Sequence, residues 1–402
     1  MSLNRRELLV GTAAVAAAAK LAQAATRQVA MPNGSTLPWK DAGGIKVYHL
    51  KAAPLRHTIA PGLEIEAWGY NGSTPGPVLE AVEGDRVRVY VTNALPEATT
   101  IHWHGILVPS GMDGVAGVNQ PAIAPGKTFK YEFMFDRAGT FMYHPHADEM
   151  TQLALGMMGM IVVHPRTPET RRVRDYALML HEMKIPIGAG RPDPLAMTDF
   201  NVLTLNGKSF PATETLVAET GDLVRIRFGN LGPMDHHPIH LHGHTFEVVA
   251  TDGGTIPPAA RRPDTTVLVP VGATRTIEFI ARPGDWPLHC HMTHHMMNQM
   301  GHEAANLVGA DTQGLDAKLS RVVPGSMVMG GAGMGEPMDM PQPKNAISMV
   351  GGKGPYGAID MGGMFTLLKV RDHLAGDPGW YKAPAVASEA TADEMKRDGI
   401  EP

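Results

Sequence analysis

The sequence predicts an all-β chain made of two tandem Greek-key β-sandwich domains, followed by a Gly- and Met-rich C-terminal tail. Three observations lead there. Four segments recur in the same order, about 140 residues apart, as a tandem duplication would leave them. Each copy is rich in short period-two stretches bounded by Gly and Pro, with little helical periodicity, which is the pattern of an antiparallel sandwich. With 43% hydrophobic and 19% charged residues among 402, the chain has enough apolar side chains for two cores.

The elements follow in chain order. Asn4-Arg5-Arg6-Glu7-Leu8-Leu9 precedes an alanine-rich run to Ala19, and Ala22-Gln23-Ala24 offers a small-x-small cleavage site. These are the regions of a twin-arginine export signal over 1–24, which implies a periplasmic or secreted protein starting near Ala25. No later apolar run is long enough to cross a membrane. Domain 1 is placed at 45–165. It holds VEGDRVRVYVTN (82–93), IHWHG (101–105), PGKTFKYEF (125–133) and RAGTFMYHPH (137–146). The connector 166–194 contains one strand, Tyr176–Leu180, and a turn-rich stretch, Ile185–Pro194. Domain 2, at 195–310, repeats the four segments as ETGDLVRIRFGN (219–230), IHLHG (239–243), VGATRTIEF (271–279) and RPGDWPLHCH (282–291). In the extension 311–402, Phe365–Val370 reads as a strand, and Gly362–Arg371 is apolar enough to dock on the second domain.

Composition narrows the chemistry. There are 19 His and 26 Met but a single Cys, Cys290, so no internal disulfide framework exists. The net charge of -5 comes without a block of like charges, which gives nucleic acid no footing. The histidines form four His-x-His pairs: His102/His104, His144/His146, His240/His242 and His289/His291. On a strand, residues i and i+2 share a face and the middle residue points the other way. Eight imidazoles paired this way suit copper. Core packing explains them poorly, because buried unpaired imidazoles are costly. Between His144 and His146 stands Pro145, which cannot ligate. Between His289 and His291 stands Cys290, so one strand would carry a metal site on each side. A His2Cys set with a weak axial Met is the blue-copper arrangement. Candidates are His237, His295 and Met300, with His236, His294, Met296 and Met297 in competition.

HWHG, YHPH, HPIHLHGH and HCHMTHHMMNQM together resemble the multicopper oxidases, in particular two-domain laccase-like members, over about 45–310. The resemblance implies cupredoxin-like domains and four coppers per chain. His237, Cys290, His295 and Met300 would bind type 1 copper, placing that centre in domain 2. His102 and His240 would bind type 2 copper. His104, His144, His146, His242, His289 and His291 would bind the type 3 pair. Electrons from phenols or aromatic amines would pass through Cys290 to His289 and His291, and four of them would reduce O2 to two waters. Asp113, in Met112-Asp113-Gly114, matches a proton-donating carboxylate of the family, although Asp-Gly is also a common turn. The second acid found in many relatives, three residues after the Cys, is Thr293 here, so either another group such as Asp148 or Glu149 relays protons or reduction of the peroxide-level intermediate is slower. With type 1 ligands only in the second of two domains, the resemblance implies a homotrimer with its clusters at subunit interfaces.

Eight methionines from Met327 to Met364, and Met292, Met296, Met297 and Met300 near the thiol, raise a second reading in which Cu(I) is the reductant, since thioethers favour it. Met as flexible filler accounts for the tail equally well. A copper nitrite reductase would carry type 1 copper in its first domain, where Pro145 stands instead. A copper-storage protein would not need a thiolate between two imidazoles.

Overall fold

The computed structural model describes residues 28–298, 318, 321–322, 344–347, 351–383 and 389–401. Residues 1–24, read above as an export signal, Met300 and most of the methionine tail lie outside them. The chain folds as two β-sandwiches, as the alternation predicts. In the first, Trp39–Asp41, Ile45–Ala60, Leu63–Tyr70, Arg86–Asn93 and Thr128–Met134 face Leu79–Val82, His102–His104, Gly139–His144 and Gly159–His164. Arg86–Asn93 shows why this packs: Val87, Val89 and Val91 enter the core while Arg88 and Tyr90 point outward. In the second, the sheet containing Val173–Met183, Leu223–Asn230, Phe246–Thr251 and Thr274–Ile280 faces one formed by Leu216–Glu219, His237–Leu241, Thr266–Val269, Gly284–Cys290 and Phe365–Arg371.

The duplication is visible in local chemistry. The Gly-Asp turns place Gly84 and Gly221 at φ 88° and 84°, where a side chain would be strained. The following Asp85 and Asp222 carboxylates accept from the backbone N–H of Val82 and Glu219 at 2.7 and 3.0 Å.

Three findings refine the sequence reading. The sandwiches are not purely antiparallel. Ile45–Ala60 runs parallel to Arg86–Asn93, and Leu79–Val82 to Gly159–His164. The same pairs recur as Val173–Met183 with Leu223–Asn230 and Leu216–Glu219 with Phe365–Arg371. The strand read as part of a connector extends over Val173–Met183 and buries Tyr176, Leu178 and Leu180 in the second core. The C-terminal strand Phe365–Arg371 does dock. It lies between Leu216–Glu219 and Gly284–Cys290, the place that Gly159–His164 takes in the first sandwich. It therefore completes the second repeat.

A methionine-rich seam joins the halves: Met142, Met158 and Met160 pack against Met179 and Leu231. Asn345 ties the tail to Glu64 of the first sandwich and to Ala189 in the turn-rich stretch 185–194, and Ile347 is buried.

Candidate metal centres

The Gly284–Cys290 strand pairs with His237–Leu241 in a register that sets Ile239 opposite Cys290 and His240 opposite His289. Alternation then sorts the side chains. Cys290 turns into the second core, and its Sγ lies 3.8 Å from His237 Nδ1 and 3.4 Å from His295 Nδ1. The two nitrogens are 3.1 Å apart, and all three residues are buried. His295 comes from the short turn Thr293–Met296, which folds back over the strand end. Burial pushes the Cys290 thiol up to about 12, so a metal entering there displaces a proton. Among the competing candidates, His236 accepts from the backbone N–H of Val271 and His294 is exposed.

His289 and His291 belong to a different group. His289 Nε2 is 3.1 Å from His242 Nε2, and neighbouring rings among His240, His242, His289 and His291 have centroids 4.8–5.8 Å apart in tilted or edge-on contacts. His242 and His291 are exposed, so this quartet opens on the surface. The first sandwich builds the matching quartet. His102–His104 pairs with Gly139–His144, setting His102 opposite His144. His104 Nδ1 lies 3.3 Å from His144 Nε2, and ring centroids of His102, His104, His144 and His146 are 5.3–6.2 Å apart. The intervening Trp103 points into the core against Tyr131. Among the described residues, no ring contact or hydrogen bond joins the two quartets within one chain.

Hydrogen bonds decide which ring nitrogen stays available. A carbonyl only accepts, so an imidazole nitrogen facing one carries the proton. In four of the eight quartet rings this nitrogen is Nδ1: His102 donates to Asp113 O (2.8 Å), His144 to Pro145 O (2.9 Å), His240 to Thr265 O (2.7 Å) and His289 to Cys290 O (2.8 Å). Their Nε2 lone pairs are left for a metal. At the thiol the order reverses. Nε2 of His237 and of His295 faces the carboxylates of Glu182 (3.2 Å) and Asp235 (3.3 Å), leaving both Nδ1 atoms toward the sulfur. Burial lowers His104 to about 4, with the neighbouring imidazoles adding to it, and burial also lowers His102, His242 and His289. These rings are neutral near pH 7, as ligands must be. The donor chemistry, eight imidazoles and one His2Cys set, fits copper.

Carboxylates surround the first quartet. Asp113 Oδ1 lies 3.5 Å from His102 Nδ1. Glu149, at the start of the helix Glu149–Ala154, reaches His144 Nδ1 at 3.2 Å and His146 Nε2 at 3.7 Å. The hydrogen bond from His144 lowers its pKa. Asp148 and Thr293 are exposed. A cavity of about 520 Å³ opens beside this quartet and extends to Glu182 and Gly232.

Two profiles described as Multicopper oxidase match residues 52–168 and 187–309. The chain belongs to the multicopper oxidase family. Copper resistance protein A of Escherichia coli is 30% identical over 246 residues, covering 49% of this chain and 40% of that one. Laccase-1 of Botryotinia fuckeliana is 34% identical over 207 residues, covering 48% and 36%. The blue copper oxidase structure from Nitrosomonas europaea superposes with a TM-score of 0.59 at 26% identity, covering 80% of this chain and 85% of that one. This multicopper oxidase spans about two fifths of the length of the curated relatives it matches.

Sequence reasoning missed Glu182 and Asp235. Glu182 did carry a signal: His181-Glu182 is a polar pair in the otherwise apolar run Ala177–Met183, all of it buried, and buried polar groups call for partners.

Proposed function

We propose that this chain is a laccase-like oxidase that couples four one-electron oxidations of phenols or aromatic amines to the reduction of O2 to two waters. The observation that carries the reading is the opposed projection of Cys290 and its flanking histidines from one strand. His237, Cys290 and His295 would hold type 1 copper, with Met300 as the axial candidate. His102 and His240 would hold type 2 copper, and His104, His144, His146, His242, His289 and His291 the type 3 pair, four coppers per chain. Bound copper would supply the one-electron chemistry. The protein keeps the two sites a few covalent bonds apart, fixes the tautomers of His102, His144, His237, His240, His289 and His295, and holds Asp113 and Glu149 as proton-carrying groups at His102 and His144. Each quartet is open on its own sandwich and unpartnered by the other within a chain. This supports a homotrimer in which one copy's first quartet meets the next copy's second. The 1–24 segment supports twin-arginine export to the periplasm or beyond. No helix among the described residues is long and apolar enough to cross a membrane.

Cu(I) as physiological reductant is the second reading. Met234 and Met292, 53% and 43% exposed, flank the His237/Cys290/His295 site, and thioethers bind Cu(I). Because Asn345 and Ile347 are docked, the tail test removes only residues 327–340. Turnover of a phenol is compared with turnover of Cu(I) in that deletion and in M234L/M292L. Loss confined to Cu(I) supports this reading, and equal rates reject it. The laccase-like reading itself requires four coppers per chain and an intense band at roughly 600 nm from a thiolate-bound Cu(II). A chain binding copper without that band refutes it.

A further inference from the structure

Among the described residues, Glu182 is the only carboxylate with no solvent exposure, and its surroundings are built around its charge. Oε1 accepts from the backbone N–H of Met234 and of Asp235, each at 2.8 Å. Oε2 faces His237 Nε2 at 3.2 Å. The loop can wrap this closely because residue 232 is glycine: a Cβ there would stand 1.8 Å from Oε2 and 2.5 Å from Oε1. An ionised carboxylate only accepts, so His237 Nε2 must carry its hydrogen and Nδ1 must present its lone pair toward Cys290 Sγ. His295 has a comparable partner in Asp235, but that side chain is 29% exposed and solvent screens it. The Glu182 side chain has no exposed surface, so its charge is screened less than that of Asp235, and it lies one imidazole away from the metal pocket. A fixed negative charge there stabilises a dication more than a monocation, and hydrogen bonds behind a ligand tune its metal.

We propose that Glu182, cradled by Gly232, is a positioning residue that fixes the tautomer of His237 and lowers the reduction potential of the copper held by His237, Cys290 and His295. This rests on the type 1 reading above. Two variants test it in the full copper-loaded protein, by mediated redox titration of the visible band. E182Q keeps an oxygen for the two backbone donors but sets an amide N–H₂ against His237 and removes the charge. G232A keeps the charge and pushes the carboxylate off His237. In E182Q the Cu(II)/Cu(I) ratio at a fixed potential falls about tenfold, a midpoint rise of about 59 mV for a one-electron couple. G232A shifts the midpoint in the same direction. In the metal-free chain, the ¹⁵N shifts of His237 in E182Q move toward the Nδ1–H tautomer. An unchanged midpoint in both variants overturns the inference while leaving the blue site standing. A wild-type protein that loads copper without a blue band removes the type 1 reading beneath it. Failure of both metal-free variants to fold makes Glu182 a structural residue and also overturns the inference.

Discussion

Replacing Leu368 with Ala probes the C-terminal strand. Leu368 has 0% exposure and lies between Leu216 on one neighbouring strand and Trp286 on the other. The change deletes three carbons, about 2.4 kcal/mol at ~0.8 per buried methylene. The residual cavity adds to this, because partners on two paired strands can follow the missing atoms only in part, for a total of about 3–4 kcal/mol. Urea denaturation of the metal-free protein measures the loss. Leu195→Ala, at a 71% exposed position, serves as the control and stays within about 0.5 kcal/mol. The strand also holds the thiol's backbone, since Cys290 N–H donates to Met364 O at 3.1 Å, so the variant binds copper more weakly as well. A loss below about 1 kcal/mol would refute the docking of this strand as a core element.

Further predictions follow from the sites. Cys290→Ser abolishes the blue band and oxidase turnover while a type 2 EPR signal persists; a blue variant refutes the assignment of the thiolate. His146→Ala and His242→Ala are each inactive as pure proteins, but co-refolded mixtures regain activity if quartets from different copies meet; a silent mixture with intact trimers speaks against clusters at the interfaces. His181 is fully buried, with Nε2 lacking a partner among the described residues, and burial lowers it to about 4. The unfolded chain protonates this residue near 6.5, so between pH 6.5 and 4 the unfolded state binds more protons. Stability is full above that window and declines as pH falls through it, by on the order of 3 kcal/mol for this one group. His181→Leu flattens that part of the metal-free stability profile, and an unchanged acid limb would contradict the account.

The two sandwiches were legible because patterning and turn chemistry act locally: Gly84-Asp85 and Gly221-Asp222 announce the same turn twice. The turning of Cys290 away from its flanking histidines was legible from strand alternation, whereas the choice of His237 and His295 over His236 and His294 came with the family resemblance. The counterpart of Gly159–His164 was harder to see. GMIVVH and FTLLKVR share only an apolar character, and the second sits far from its expected place in the repeat. Glu182 was hidden for another reason. Its partner is 55 residues away, and which carboxylate meets which imidazole depends on how two sheets pack. Asp113 and Glu149 were nameable from proximity to His motifs, but only the packed chain separates Glu149 from its exposed neighbour Asp148.

The late return of Phe365–Arg371 has a consequence for how the polypeptide is laid down. Between Cys290 and Phe365 the chain makes an excursion of 74 residues (291 to 364) and comes back to adjacent hydrogen-bonding positions; in the first sandwich the equivalent trip, 145 to 158, takes 14. Closure entropy grows only logarithmically, so this fivefold lengthening costs about 1.5 kcal/mol. Between Met300 and the docked Asn345, its length can therefore vary at little cost in closure entropy to the sandwich it interrupts. During synthesis that half stays one strand short until residue 371 has emerged, so the pocket for the thiol-bound ion is among the last parts of the molecule to be finished.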